Sequence, residues 1–536
     1  MRTSSFPLAG GAFVALAVSL SFACGEEVDP NPGRRPNDGT VPGNAIVKVG
    51  IRRLSQKEYR DTVRDLTGID HEPKSLPIDD LVPFDNDQAL QVPTQPLIDA
   101  IEAEANAITA KIMADQAVRD RLVGCTPKAA DDRDCMTSFV TTFGRRALRR
   151  PLAQDEVADF VGLTDLATSA NDFFVGVDAA FKAFFQHASF LYRIEIGEPV
   201  PDKPGVFRLN DFEVASRLSY FLWGSMPDDA LLDAAEKGEL GTVDKRRAAI
   251  TRMMADPKAR ERVLRFHAMW LGYERMAQSP TVADAARRET NEVVSRVVFE
   301  RHGSWNDLLR TDETFIDQNL ATTYGIPWPG GEGFQWVKIT DERRKGILGH
   351  VSFLSHGSKF GDTSPTLRGI AVKTRLLCEP RPQPPPNANV DDPPPAYEGK
   401  DCKHDRYLGI AATGCGGCHK PIDSIGFGLE RWDNSGAYRE TEKDRPECKF
   451  PEEGEIVGVG TFKGPAGLAD VLAQSGGVEK CLTKQLYRFA MGHEVMPEDQ
   501  NAVAELDTRF VEKEQHFDEL VVELASSNWF GFRLQD

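Results

Sequence analysis

A mainly α protein is predicted: a multi-module helical scaffold with a chemically distinct module at its C-terminal end. Three observations predict it. Apolar residues recur at helical spacing in stretch after stretch, capping residues stand where helices would begin, and one proline-dense run divides the chain. At 536 residues there is room for roughly three or four domains. A hydrophobic content of 40% is enough for ordinary cores. The net charge of -18 argues against nucleic acid and against docking on anionic lipid through basic residues.

Residues 1–23 have the character of a secretory signal. Arg2 precedes an apolar run from Phe6 to Ala23, interrupted only by Ser19 and Ser21, and Ser21-Phe22-Ala23 is a small-residue cleavage site. Cys24 would follow the cut, an arrangement resembling the lipobox of bacterial lipoproteins, although Ser21 stands where that pattern prefers Leu. Residues 24–46 are rich in Pro, Gly, Asn and Asp and form a flexible tether. The expectation is an extracytoplasmic protein, lipid-anchored through Cys24 and facing the periplasm or the cell surface.

Beyond the tether, helical modules are expected over 47–125, 126–200 and 201–340. Ser55 and Glu58 form a capping box, and that helix should stop at Gly68. Asn171 to Ile196 carries Phe173, Phe174, Val177, Phe181, Phe184 and Phe185 at helical spacing and predicts one long helix. Asn210 caps the next, and further helices are expected over 243–254, 257–273 and 283–302. These aromatic stripes, with Met253, Met254 and Met269, are core positions rather than a cofactor box. Thr363-Ser364-Pro365 starts a helix inside the 341–378 segment. A linker over 379–398 then holds eight prolines between Pro380 and Pro395, favouring an extended strap. Asp79-Asp80 and Arg343-Arg344-Lys345 have the pattern of solvated faces or helix-end charges.

The module over 399–536 contains Cys415-Gly416-Gly417-Cys418-His419. Two thiols at this spacing can add to the two vinyl groups of one porphyrin, and the adjacent imidazole can reach the iron. With 9 Cys and 10 His, composition alone would produce the pattern in only about three such chains in a thousand. Half of a zinc site would need a second Cys/His pair at knuckle spacing, and none exists. One covalent haem c on Cys415 and Cys418, with His419 as proximal ligand, is the expectation. For the distal side His404, Met491 and His493 are candidates, as are Met496, His350 and His356. A filled distal site suits electron transfer, and an open one suits binding of oxygen, peroxide or substrate.

Setting aside Cys24 and the haem cysteines leaves Cys125, Cys135, Cys378, Cys402, Cys448 and Cys481, an even number fit for three disulfides in an oxidising compartment. Cys125 and Cys135 close a short loop and are the favoured pair. The other four allow three pairings that sequence does not separate, among which Cys378–Cys481 with Cys402–Cys448 is preferred.

After His419 the chain runs Asp423, Gly426-Phe427, Leu429-Glu430, Asp433, and then Gly436-Ala437-Tyr438-Arg439. This resembles the cytochrome-c-like proteins abundant in planctomycetes and myxobacteria, built from domains of unknown function numbered in the fifteen-eighties and fifteen-nineties. Four further stretches resemble the other modules of that series: Arg53–Leu66, Phe143–Leu152, Phe207–Asp228, and Cys481–Gly492 with Trp529–Arg533. The resemblance implies a haem module but no established activity. The chain departs from the pattern at Gly492-His493, where the family commonly has Gly-Arg, and in lacking a histidine nearer to Cys415 than His404. The residues around the motif, Asp423, Glu430 and Asp433, are expected to be caps and hydrogen-bond partners.

The functional expectation is a monohaem cytochrome that exchanges electrons with a redox partner protein or a small-molecule donor or acceptor. The alternatives are a haem oxidoreductase with an open iron acting on peroxide, oxygen or a carbohydrate-linked substrate, and a surface binding module with a structural haem. No hydrolase signature or phosphate-binding glycine loop competes.

Overall fold

The computed structural model describes residues 50–386 and 388–534, so the signal, Cys24 and the tether lie outside the described residues. The described chain is mainly α-helical, with a few short two- and three-stranded sheets.

The Ser55 hydroxyl accepts from the Glu58 amide, Glu58 reaches back to the Ser55 amide, and the helix Gln56–Thr67 ends at Gly68 with φ 75°. A left-handed residue costs least where no Cβ is present, which is why glycine closes it. Asn210 and Glu213 form the same box for Asp211–Leu222. The helices Val243–Met254, Pro257–Leu271 and Pro280–Ser295 follow, the last extended by a wider turn over Arg296–Glu300.

One expectation is corrected. Asn171 to Ile196 is not a single helix: Phe173–Gln186 stops at His187, Ala188–Leu191 adds one turn, and Tyr192–Arg193 is extended. Tyr192–Arg193 pairs antiparallel with Arg52–Arg53, and Glu195 just beyond bonds both Arg52 and Arg217. Pairing and charge compensation are long-range, so helical spacing cannot report them.

Apolar burial falls into two large cores. The first gathers Tyr59, Phe139, Phe143, Phe181, Phe184, Phe185 and Phe190 from residues 54–226. The second reaches from Leu209 through Trp270, Trp305 and Leu348 to Ile425, Trp432, Tyr487 and Phe530. Met253 and Met269 are buried in it, as their spacing implies. The last strand, Phe532–Leu534, returns to pair with Val206–Arg208, so the C-terminal segment closes onto the middle of the chain.

A second correction concerns charge. Asp79 is buried on Arg53 and the Gln56 amide, and Arg344 is buried with its guanidinium on the Gly349 and Gly436 carbonyls. Neither is a solvated charge, although Arg344 does end the short helix Glu342–Arg344, as the helix-end alternative implies. A guanidinium can be buried when backbone carbonyls take its donors, and a run of like charges does not reveal which member turns inward.

Candidate haem-attachment site

The motif sits at the start of the helix Gly416–Phe427, which packs on Pro365–Ala371. Two glycines set that approach. A Cβ on Gly369 would stand 2.0 Å from the Ile422 carbonyl oxygen, and one on Gly426 would stand 1.8 Å from the Pro365 carbonyl oxygen. The helices can touch backbone to backbone only because both side chains are absent. Ser364 caps the supporting helix with Pro365 at its first position, as the sequence implies.

A third helix, Lys403–Ala411, forms a hairpin with the motif helix; Tyr407 and His404 both meet the Phe427 ring edge-on, at 5.7 and 4.9 Å. On another side, the strands Gly454–Ile456 and Gly460–Phe462 pack close enough that Gly428 and Gly454 leave no room for a Cβ on either. The proline strap enters from Cys378, which is disulfide-bonded to Cys481, and leaves towards Cys402, which is bonded to Cys448. Cys125 pairs with Cys135. All three disulfides have the expected partners.

Cys415 and Cys418 are both exposed and free, while each of the other described cysteines is paired. His419 follows on the same turn. Its Nδ1 lies 3.0 Å from Asp423 Oδ2, and the other oxygen of Asp423 accepts from Thr366 Oγ1 at 2.6 Å. The hydrogen bond to Asp423 raises the His419 pKa above its ordinary value, against a smaller opposing effect of burial. In the neutral ring Nδ1–H donates to the carboxylate, which leaves the Nε2 lone pair available as a ligand. Two free thiols and one oriented imidazole on a single turn fit the donor set of a c-type haem.

The remaining motif carboxylates hold the frame. Glu430 is fully buried and accepts from Thr363, Arg368, Lys403 and Arg439. Arg368, also buried, donates to the carbonyls of Leu429, Trp432 and Leu354. Asp433 Oδ1 accepts from the amides of Ser435 and Ala437 and shapes the turn before Tyr438.

The distal candidates are placed elsewhere. His404 lies on a helix, half-buried, with its pKa lowered by burial. Its ring contact, Phe427, is eight residues past His419, about 12 Å along the helix axis. Met491 is fully buried at the end of Gly477–Met491, with its carbonyl on Arg52. His493 is buried with Nδ1 on the Glu494 carbonyl. His350 bonds Thr290, and His356 bonds the Leu271 carbonyl. Met496 is exposed at the start of a short 3-10 turn. Thr366, by contrast, was invisible in the sequence: nothing at its position announces a partner 57 residues away.

Five family models match in series. They are Protein of unknown function (DUF1587) over residues 52–114, (DUF1595) over 135–195, (DUF1592) over 209–326, (DUF1588) over 344–442 and (DUF1585) over 460–530. Cys415–His419 falls within the fourth. No curated protein and no solved structure matches the chain. The chain belongs to the proteins built from this series of domains of unknown function.

Proposed function

We propose that the protein is an extracytoplasmic monohaem c-type cytochrome that exchanges single electrons with an external partner. The observation that carries the proposal is the motif's state: two free, exposed thiols beside an imidazole whose Nδ1 is already held by Asp423. Cys415 and Cys418 would hold the haem covalently and His419 Nε2 would ligate its iron. A haem so held supplies one-electron redox chemistry. Around it, the chain's own groups keep the donor set in place: Thr366 orients Asp423, Asp423 orients the imidazole, and the Glu430 cluster locks the segment that follows. A lipid on Cys24 and the tether would keep this unit at a membrane surface.

A second reading, an oxidoreductase with an open iron, is favoured by one observation. Of the candidate distal ligands, His404 packs on Phe427 well along the motif helix, Met491 is buried in the helical body, and His493, His350 and His356 are hydrogen-bonded within it; Met496 alone among them is exposed. Visible spectra of the chain matured with cytochrome c machinery, with and without carbon monoxide, separate the two. A low-spin spectrum indifferent to carbon monoxide supports the electron carrier, and carbon monoxide binding supports the open site. Retention of haem through denaturation by Cys415→Ala/Cys418→Ala would overturn covalent attachment and both readings with it.

A further inference from the structure

Far in sequence from the haem motif, the helix Gln56–Thr67 and the segment after it, with the helices Pro257–Leu271 and Pro280–Ser295 and the loop between them, line a solvent-open cavity of about 440 Å³. That volume lies in the range of small-molecule sites. The cavity spans two of the matched domains, residues 52–114 and 209–326, and exists only because they pack together.

Its walls are almost wholly charged. Lys57, Arg60, Arg265, Arg275 and Arg287 supply five cations; Glu72, Asp79, Asp85 and Glu274 supply four carboxylates. The cavity therefore carries a formal excess of one positive charge in a chain whose net charge is -18. The cations are not equally engaged. Arg265 is consumed by Asp85 and Glu274. Lys57 is held by Asp61, and Arg60 reaches Asp61 and Glu72, each at 3.4 Å. Among the described residues Arg275 makes one hydrogen bond, to the Asp79 carbonyl, and its guanidinium has no carboxylate partner. Arg287 uses one arm on the exposed Asp284 and another on the Glu274 carbonyl.

These features select among ligands. An apolar ligand would find almost no apolar wall, and a cation would compete with five resident cations for carboxylates that are largely already paired. A guanidinium fork with free donors matches a carboxylate in two parallel hydrogen bonds. The wall carboxylates accept hydrogen bonds from hydroxyl groups but repel a second anionic centre. We infer that this cavity is a binding site for a small hydroxylated monocarboxylic acid of sugar-acid size, with Arg275 and Arg287 gripping the carboxylate and the acidic wall taking the hydroxyls. The site stands independently of the haem.

Isothermal titration of the mature full-length chain with D-glucuronate tests this, with glucose and inorganic phosphate as comparison probes. Saturable glucuronate binding is expected, at least tenfold tighter than phosphate, with none for glucose. Arg275→Ala should weaken it at least tenfold. Arg275 is exposed, so this change leaves the packing intact; Arg287→Ala provides a second variant, and unchanged thermal unfolding of both shows that the fold is kept. No glucuronate binding, equal binding of glucose or phosphate, or full affinity in both variants would overturn the assignment.

Discussion

In the N-terminal core, Phe139, Phe143, Phe181, Phe184 and Phe185 interlock, with Phe181 5.0 Å from both Phe139 and Phe143 by ring centroid. Between Cys402 and Phe450 the chain is held by other means: the Cys402–Cys448 disulfide, the buried Glu430 among four donors, and backbone contacts at Gly369 and Gly426. The difference follows from what each region exposes. A helix with no exposed chemistry can bury a full aromatic stripe. The motif helix must leave Cys415 and Cys418 open, so it is fastened from beneath by covalent, ionic and backbone contacts.

Four changes would break or sharpen that contrast. The two largest effects should be equal in size and different in place. Phe181→Ala removes a fully buried ring and should cost about 3–5 kcal/mol. Cys402→Ser/Cys448→Ser opens a disulfide of sequence separation 46, which the chain-entropy relation values at about 4 kcal/mol. Urea unfolding gives the magnitudes, and hydrogen exchange gives the place. Protection should fall first in residues 133–191 for the former and in 403–427 for the latter. Loss across both regions alike in either variant would erase the distinction.

Glu430→Gln comes next. It leaves Arg368, Lys403 and Arg439 around a neutral amide and should cost about 2–3 kcal/mol. The loss should grow little with added salt, because the cluster is buried. A variant as stable as the parent would mean that the hub contributes nothing net.

Acid should act on the two halves in different windows. Burial raises the Glu195 pKa, but Arg217 and Arg52 overcome it and pull the group down to about 2. A depressed carboxylate stabilises above its unfolded pKa, so this contribution fades as the pH falls from about 4.5 towards 2. His350 in the central core is pulled down to about 3 by burial and by Arg344. Its stabilisation holds above about 6.5 and is lost as the pH falls towards 3. Glu289, 3.6 Å from His350 and pushed up to about 7 by burial, titrates in the opposite sense and offsets part of this loss. The His350 contribution is therefore read as the difference between the parent and His350→Gln in chemical denaturation from pH 7 to 3, while Glu195→Gln should flatten only the lower part of the curve. Parallel curves for the parent and His350→Gln across this range would rule out the His350 contribution.

Local signals in this chain were legible where the physics is local. The capping boxes at Ser55 and Asn210, the stop at Gly68 and the Ser364-Pro365 start each depend on residues within one helical turn. The motif spacing likewise puts Cys415, Cys418 and His419 on one turn. Glycine's role at Gly369 and Gly426 was illegible, since nothing in a sequence says which carbonyl will stand where a Cβ would be. The buried charges Asp79 and Arg344 were misread for the same reason, because the burial of a charge is decided by its compensating partner.

By itself the sequence determined the helical class and the thiol–thiol–imidazole set of Cys415, Cys418 and His419, because periodicity, caps and attachment spacing act over a few residues. Only the tertiary structure decided that Thr366 and Asp423 would steady His419, that Tyr192–Arg193 would leave its helix to pair with Arg52–Arg53, and that Arg275 would face a cavity. Those outcomes depend on contacts between residues far apart in the chain, whose energies exist only once packing has brought the groups together.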